Sequence, residues 1–169
     1  MNTNAKIIID KLDLKPHIEG GYYKRTYQSA IDVNFDSKPR PINTAIYFLL
    51  ESHDFSCWHR LKSDEIWHYY CGSNLIVHQI NENGILLSTI LGNLLEHPNI
   101  QPQCVIPAST WFSAEVQSTE SFTLVGCTVA PGFEYDDFEM GDRANLLNKY
   151  PQHKELIIKL TKNSRTLIW

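Results

Sequence analysis

The sequence predicts an all-β body, a β-sandwich or small barrel, with a short helix before it and helices after it. Two observations carry this. From Gly20 to about Ala130 the chain breaks into short runs rich in Ile, Val, Thr and aromatic residues, separated by turn signals such as Cys71-Gly72-Ser73-Asn74, Asn81-Glu82-Asn83-Gly84 and Gly92-Asn93. Apolar residues at helical spacing occur only outside that span. Closely spaced short strands with no helices between them fit a sandwich or barrel rather than a parallel α/β sheet.

At the N-terminus, Ile7, Ile8, Leu12 and Leu14 fall partly on one helical face, and the helix should end before the Lys15-Pro16 bond, because the residue preceding a proline is disfavoured in a helix. The strands that follow are read as YYKRTYQ, TAIYFLL, EIWHYY, NLIVHQI, ILLSTIL, QCVI, STWFSAEV and SFTLVGCTV. Beyond them, Asp142 is placed to cap a helix over ANLLNKY. Pro151, tolerated in a first helical turn, opens QHKELIIKL, where Leu156, Ile157 and Leu160 form an apolar stripe. These helices are expected to pack outside the β body. No repeat, low-complexity tract or linker divides the chain, so residues 1–169 are expected to form a single domain.

A chain of 169 residues buries roughly two thirds of its unfolded surface, so its core requires neither disulfides nor a metal. The four cysteines show no CxxC spacing, and the opening MNTNAKIIIDKLDL has no basic segment leading into a sustained apolar one. Reduced thiols in a cytoplasmic protein are expected. The greasiest run, TAIYFLL, is far shorter than the ~20 residues of a membrane helix, so no membrane association is expected. With a net charge of −4 and scattered Lys and Arg, the chain offers no basic stripe for nucleic acid.

The stretch HRLKSDEIWHYYCG, residues 59 to 72, concentrates the titratable chemistry. If His59-Arg60-Leu61 ends one strand and Lys62-Ser63-Asp64 turns the chain, then Glu65 begins the next strand. Alternation puts Glu65, Trp67 and Tyr69 on one face and Ile66, His68 and Tyr70 on the other. With the first face inward, a carboxylate sits among aromatic rings and the hairpin brings His59 beside it. The other reading stays open: Asp64 and Glu65 form a solvated turn, and His59 is an ordinary surface or core histidine.

The spacing of His59, Glu65 and Gly72 resembles the first motif of the cupin superfamily, in which two histidines, a Glu and a closing Gly build a metal-binding jelly roll. Pro107-Ala108-Ser109-Thr110-Trp111-Phe112 resembles part of the second motif. Leu61 and Phe112 stand where those motifs carry histidines, so the chain keeps His59 and Glu65 alone of the usual ligands, fewer than open catalytic metal sites use. No metal or other cofactor is therefore expected. HIEGGYYKRTYQS, TAIYFLL, HRLKSDEIWHYYCG, VIPASTWFSAE and LVGCTVAPGFEYDDFEMGDRANLLNKYP, taken in order, resemble a single-domain cupin family of unknown function often labelled predicted sugar epimerase. The resemblance spans about residues 12 to 162 and implies a jelly-roll barrel and a homodimer. A shared fold does not by itself assign an activity.

The resulting expectation is a metal-independent isomerase or epimerase acting on a sugar-like or nucleotide-linked small molecule. His59 would be the base, Glu65 its orienting or charge-holding partner, and Tyr47 or Tyr69 the proton donor. Tyr47 serves only if Ala45, Tyr47 and Leu49 form the inward face; otherwise it fills the core. Glu19, beside Gly20-Gly21, lies either over a pocket mouth or in a plain turn. Arg25 and Arg60 are either anion ligands or solvated strand residues, and Trp67 and Trp111 suit a hydrophobic wall for a ring. His68 should face away from Glu65. Two rivals remain open: a binding module holding a small metabolite without turnover, and a metal-dependent dioxygenase drawing ligands from elsewhere. The homodimer would form through an N-terminal strand or a face carrying His68 and Tyr70.

Overall fold

The computed structural model describes residues 2–162. Helix α1 spans Thr3–Leu12; the Asn2 side chain accepts from the N–H groups of Asn4 and Ala5, and Asp13 closes the helix in the left-handed conformation. The strands are β1 (Lys15–Pro16), β2 (Tyr22–Gln28), β3 (Asp32–Phe35), β4 (Lys38–Pro41), β5 (Thr44–Glu51), β6 (Phe55–Leu61), β7 (Asp64–Gly72), β8 (Leu75–Ile80), β9 (Leu86–Leu91), β10 (Gln103–Ile106), β11 (Trp111–Val116), β12 (Phe122–Ala130) and β13 (Phe138–Met140). A 3-10 turn, Tyr135–Asp137, precedes β13, and α2 (Arg143–Lys149) and α3 (Lys154–Lys159) follow it. As the sequence suggests, Asp142 caps α2 through the Asn145 N–H.

Two antiparallel sheets face each other, ordered β1-β2-β5-β12-β7-β10 and β13-β6-β11-β8-β9, with β3-β4 as a separate hairpin. The architecture is a jelly roll. Phe48, Leu50, Trp67, Leu75, Val77 and Phe112 fill the space between the sheets, each contributing about 1.5–3 kcal/mol through burial. Outside the first sheet, α1 covers Leu49, Phe122 and Leu124. Outside the second, Leu146, Ile157 and Leu160 of the C-terminal segment cover Trp58, Ile80 and Trp111, as their apolar stripe requires.

Because α1 supplies an outer apolar cover, β5 is apolar on both faces and its alternation does not reveal which face is inward. Ile46, Phe48 and Leu50 point into the barrel, and Tyr47 and Leu49 point outward beneath α1. The inward Tyr47 considered from the sequence is thus corrected. One feature escaped the apolar pattern. The β3-β4 hairpin is polar, turning through Asp36 and Ser37 at φ 50° and 62°. It is tied to the 3-10 turn by the buried Arg40, whose Nε and Nη2 donate to Asp137 at 2.9 and 3.3 Å.

Candidate functional site

A cavity of about 480 Å³ opens at one end of the barrel, within the usual range for small-molecule sites. Its buried end carries Glu19, His59, Glu65 and Cys127, and its exposed mouth carries Lys15, Lys24, Arg25 and Tyr135. Between them the wall is largely apolar and aromatic, including Ile46, Leu61, Phe133 and Phe138.

Glu19 reaches the buried end because the turn between β1 and β2 is pressed against β6. Gly20 adopts φ +118°, and a Cβ there would lie 2.0 Å from the Phe55 carbonyl oxygen, so only glycine fits. The Cys57 N–H donates to the Glu19 carbonyl at 2.8 Å, and the Gly21 N–H donates to Asp54 Oδ2 at 2.8 Å. The Glu19 side chain, 6% exposed, accepts from Ser56 Oγ at 3.1 Å. His59 Nε2 lies 3.1 Å from its Oε2, and His17 Nδ1 stands 3.5 Å from the same oxygen. Only the Ser56 and His59 contacts are close enough to fill acceptor positions, so some of the carboxylate's roughly four remain open.

His59 shows how this end of the pocket holds its proton. Its Nδ1 lies 2.7 Å from the Cys57 carbonyl oxygen, which can only accept, so Nδ1 carries a hydrogen. In the neutral ring Nε2 would then present a lone pair to Glu19 Oε2 at 3.1 Å, one acceptor against another. A proton must lie between them, shared by the pair. Burial holds the His59 pKa below its ordinary value, and the Glu19 charge works against that. Burial also opposes charge on Glu19, but His59, His17 and Ser56 outweigh it and hold the carboxyl below its ordinary range. The free base that the sequence reading made of His59 is not what the geometry presents: both ring nitrogens are occupied, one by the Cys57 carbonyl and one by Glu19.

Glu65, at the start of β7, faces the opposite situation. It is 6% exposed, and burial, reinforced by the Glu19 charge, pushes its pKa up to about 8. The Trp67 indole and the Cys127 thiol only partly counter this; among the described residues the buried Trp67 N–H has no partner in good hydrogen-bond geometry. At neutral pH Glu65 is a carboxylic acid, able to donate.

The other expected site residues divide. Arg25 lines the mouth with Glu19 deeper in, and Trp67 lies in the core beyond the cavity lining. Tyr69 follows Glu65 and Trp67 on the core side, but its hydroxyl donates to the Gly72 carbonyl at 2.7 Å and does not line the cavity. Trp111 packs outside the second sheet with the Arg60 guanidinium 4.6 Å from its ring centre, so neither lines the pocket. A period-two strand turns Trp111 outward once Phe112 points in. Sequence reasoning missed His17, Tyr23 and Tyr135. The signal for His17 was its place two residues before Glu19; Tyr135 had none, since it arrives from a loop.

The donor set does not suit a metal. Phe112 packs its ring 4.0 Å from that of His59, Leu61 lines the pocket, and both nitrogens of His59 are engaged. Among the described residues no three His, Cys, Asp or Glu side chains converge on a metal position.

A jelly roll with a pocket at one end, faced by a histidine from one sheet and a carboxyl from the other, defines a cupin. Residues 6–141 match the family model Cupin_5, described as Cupin superfamily (DUF985), and the chain belongs to that family. Two similar solved structures cover it almost completely. One, a protein of Shewanella oneidensis, is 36% identical with a TM-score of 0.87, over 97% of this chain and 99% of its own. The other, a hypothetical protein from Leishmania major, is 33% identical with a TM-score of 0.87, over 94% and 99%. Oxalate decarboxylase from Bacillus subtilis is 13% identical with a TM-score of 0.55, over 88% of this chain and 37% of its own, a likeness of fold alone. No curated protein matches the chain.

Proposed function

We propose that the chain is a metal-independent isomerase or epimerase of a small sugar-like carbonyl compound, with Glu19 as base and Glu65 as acid. The observation that carries this reading is the pairing, in one cavity, of two carboxyl groups in opposed environments. Glu19 is surrounded by donors and ionised; Glu65 is buried beside the Glu19 charge, with only the Trp67 indole and the Cys127 thiol to offset it, and protonated. Proton transfer next to a carbonyl needs just such a division. Glu19 removes the proton from the carbon beside the carbonyl, using an open acceptor position. The C–H electron pair moves into the carbon–carbon bond, and the Glu65 O–H donates to the oxygen on which charge gathers. The phenols of Tyr23 and Tyr135, whose hydroxyls lie 3.4 Å apart, are the available donors for returning a proton to carbon. Burial and the contact with Tyr23 push Tyr135 up to about 12, so its phenol keeps its proton.

Incubation with a panel of aldoses, ketoses and their phosphate esters in deuterated water tests the reading. Deuterium should enter at the carbon beside the carbonyl of at least one compound, and Glu19→Gln should slow this by about 10²- to 10⁴-fold. A compound that binds without any exchange would instead favour the non-catalytic metabolite-binding module.

A further inference from the structure

We infer that the pocket mouth is a subsite for a phosphate-class anion, with Arg25 as its principal ligand and Lys24 beside it, so that the molecule taken in is a phosphorylated or diphosphate-linked carbonyl compound. This rests on the proton-transfer reading of the buried end, whose substrate it specifies.

Arg25 is the starting point. Its Nη1 donates to Gln28 Oε1 at 2.7 Å and its Nη2 to the Phe133 carbonyl at 3.4 Å, both neutral acceptors. Arg40 and Arg60, by contrast, each hold a carboxylate, Asp137 at 2.9 Å and Glu139 at 2.6 Å. Among the described residues Arg25 has no acid within ion-pair distance, yet its guanidinium is oriented at the rim of a cavity by two neutral contacts. A planar fork so positioned suits the paired oxygens of a phosphate. Lys24 shares Asp13 only at 3.9 Å, because Lys15 already holds that carboxylate at 2.6 Å. Glu134, the other acid at the mouth, lies near enough to Arg40 to strengthen that guanidinium's hold on its proton.

The two ends of the cavity then sort a two-ended molecule. The ionised Glu19 repels an anion from the buried end, and the cations attract it at the exposed end. The aromatic wall between, with Tyr23 and Phe138, suits a ring lying along the passage. An uncharged sugar would leave Arg25 without the partner its position fits.

The test uses the full chain labelled with 15N-arginine and inorganic pyrophosphate as probe, with the Arg25 Nε–H resonance identified by its loss in Arg25→Gln. That resonance should move saturably, and calorimetry should show affinity falling about 10- to 100-fold in Arg25→Gln and by a smaller factor in Lys24→Gln. Succinate should bind markedly more weakly. No saturable shift, an affinity unchanged in Arg25→Gln, or equal binding of succinate would overturn the inference. Glu19→Gln should keep pyrophosphate binding while losing deuterium exchange, so failure of the subsite and failure of the proton-transfer reading give different results.

Discussion

At the scale of single residues, the pocket sets two like groups in opposed environments. Glu65 keeps a proton in the fold that the unfolded chain releases, so between its ordinary value of 4.5 and about 8 the folded state binds more protons. Stability should therefore fall as pH rises across that window and level off above it. Glu19 has the opposite sign: its folded pKa is lowered, so it adds stability above the ordinary carboxylate range, and this is lost as pH falls through its folded value. Urea midpoints measured from pH 5 to 9 should show Glu65→Gln abolishing the alkaline decline and exceeding the wild type above pH 8; parallel curves for the two proteins would refute the assignment. Turnover should need Glu19 ionised and Glu65 protonated, giving a bell whose alkaline limb lies near 8. On the proposed reading His59 is a positioning residue. In His59→Ala, Glu19 loses the charge that lowers its pKa most, so the acidic limb of the bell should move to higher pH. A loss of rate with that limb unmoved would indicate a purely structural role.

At the scale of elements, the site depends on a turn and a strap that differ in how far the sequence reveals them. The Gly20-Gly21 pair marked close backbone approach, and the approach is to the Phe55 carbonyl. Gly20→Ala combines strain at φ +118° with that clash, and should cost at least about 2 kcal/mol while displacing Glu19. Denaturation and deuterium exchange should both report it. The strap is the Arg40–Asp137 pair, which ties the β3-β4 hairpin to the turn bearing Tyr135. Arg40→Met leaves the buried Asp137 with only the Lys62 ammonium, 3.7 Å away, so a loss of about 1.5–3 kcal/mol in urea denaturation is expected. A loss below ~1 kcal/mol would mean that solvent replaces the pair without penalty. The strand runs between Tyr22 and Ala130 were legible because half-buried strands announce themselves by composition and turns. The β3-β4 hairpin was not, because it is held by charge rather than apolar burial. His59 and Glu65 were legible through their spacing. The role of Glu19 was not, because it depends on a contact between a loop and a distant strand, and the inward face of β5 was hidden by the cover that α1 provides.

At the scale of the whole molecule, the outer face of the first sheet remains only partly covered. Helix α1 shields its β5 side, while Tyr70 and Val105 stand 51% and 53% exposed on β7 and β10. His68 shares that face, held by Gln103 and Thr128 at 2.9 and 3.3 Å. We propose a two-fold dimer across it, burying more than ~1,000 Å² in total. Light scattering over a dilution series should give a dimer for the wild type and a monomer for Tyr70→Glu combined with Val105→Glu; a wild type monomeric at every concentration would sink the proposal. The pocket is likewise a product of the whole barrel. Glu65 comes from one sheet, His59 from the other and Glu19 from the loop that closes over them, so their opposed ionisation exists only when all three meet. The most direct test is a pH titration of 13Cδ-glutamate-labelled protein by NMR, with Glu19 and Glu65 assigned by their Gln substitutions. Glu65 should titrate near pH 8 and Glu19 below the ordinary carboxylate range; both carboxyls titrating together near 4.5 would contradict the account.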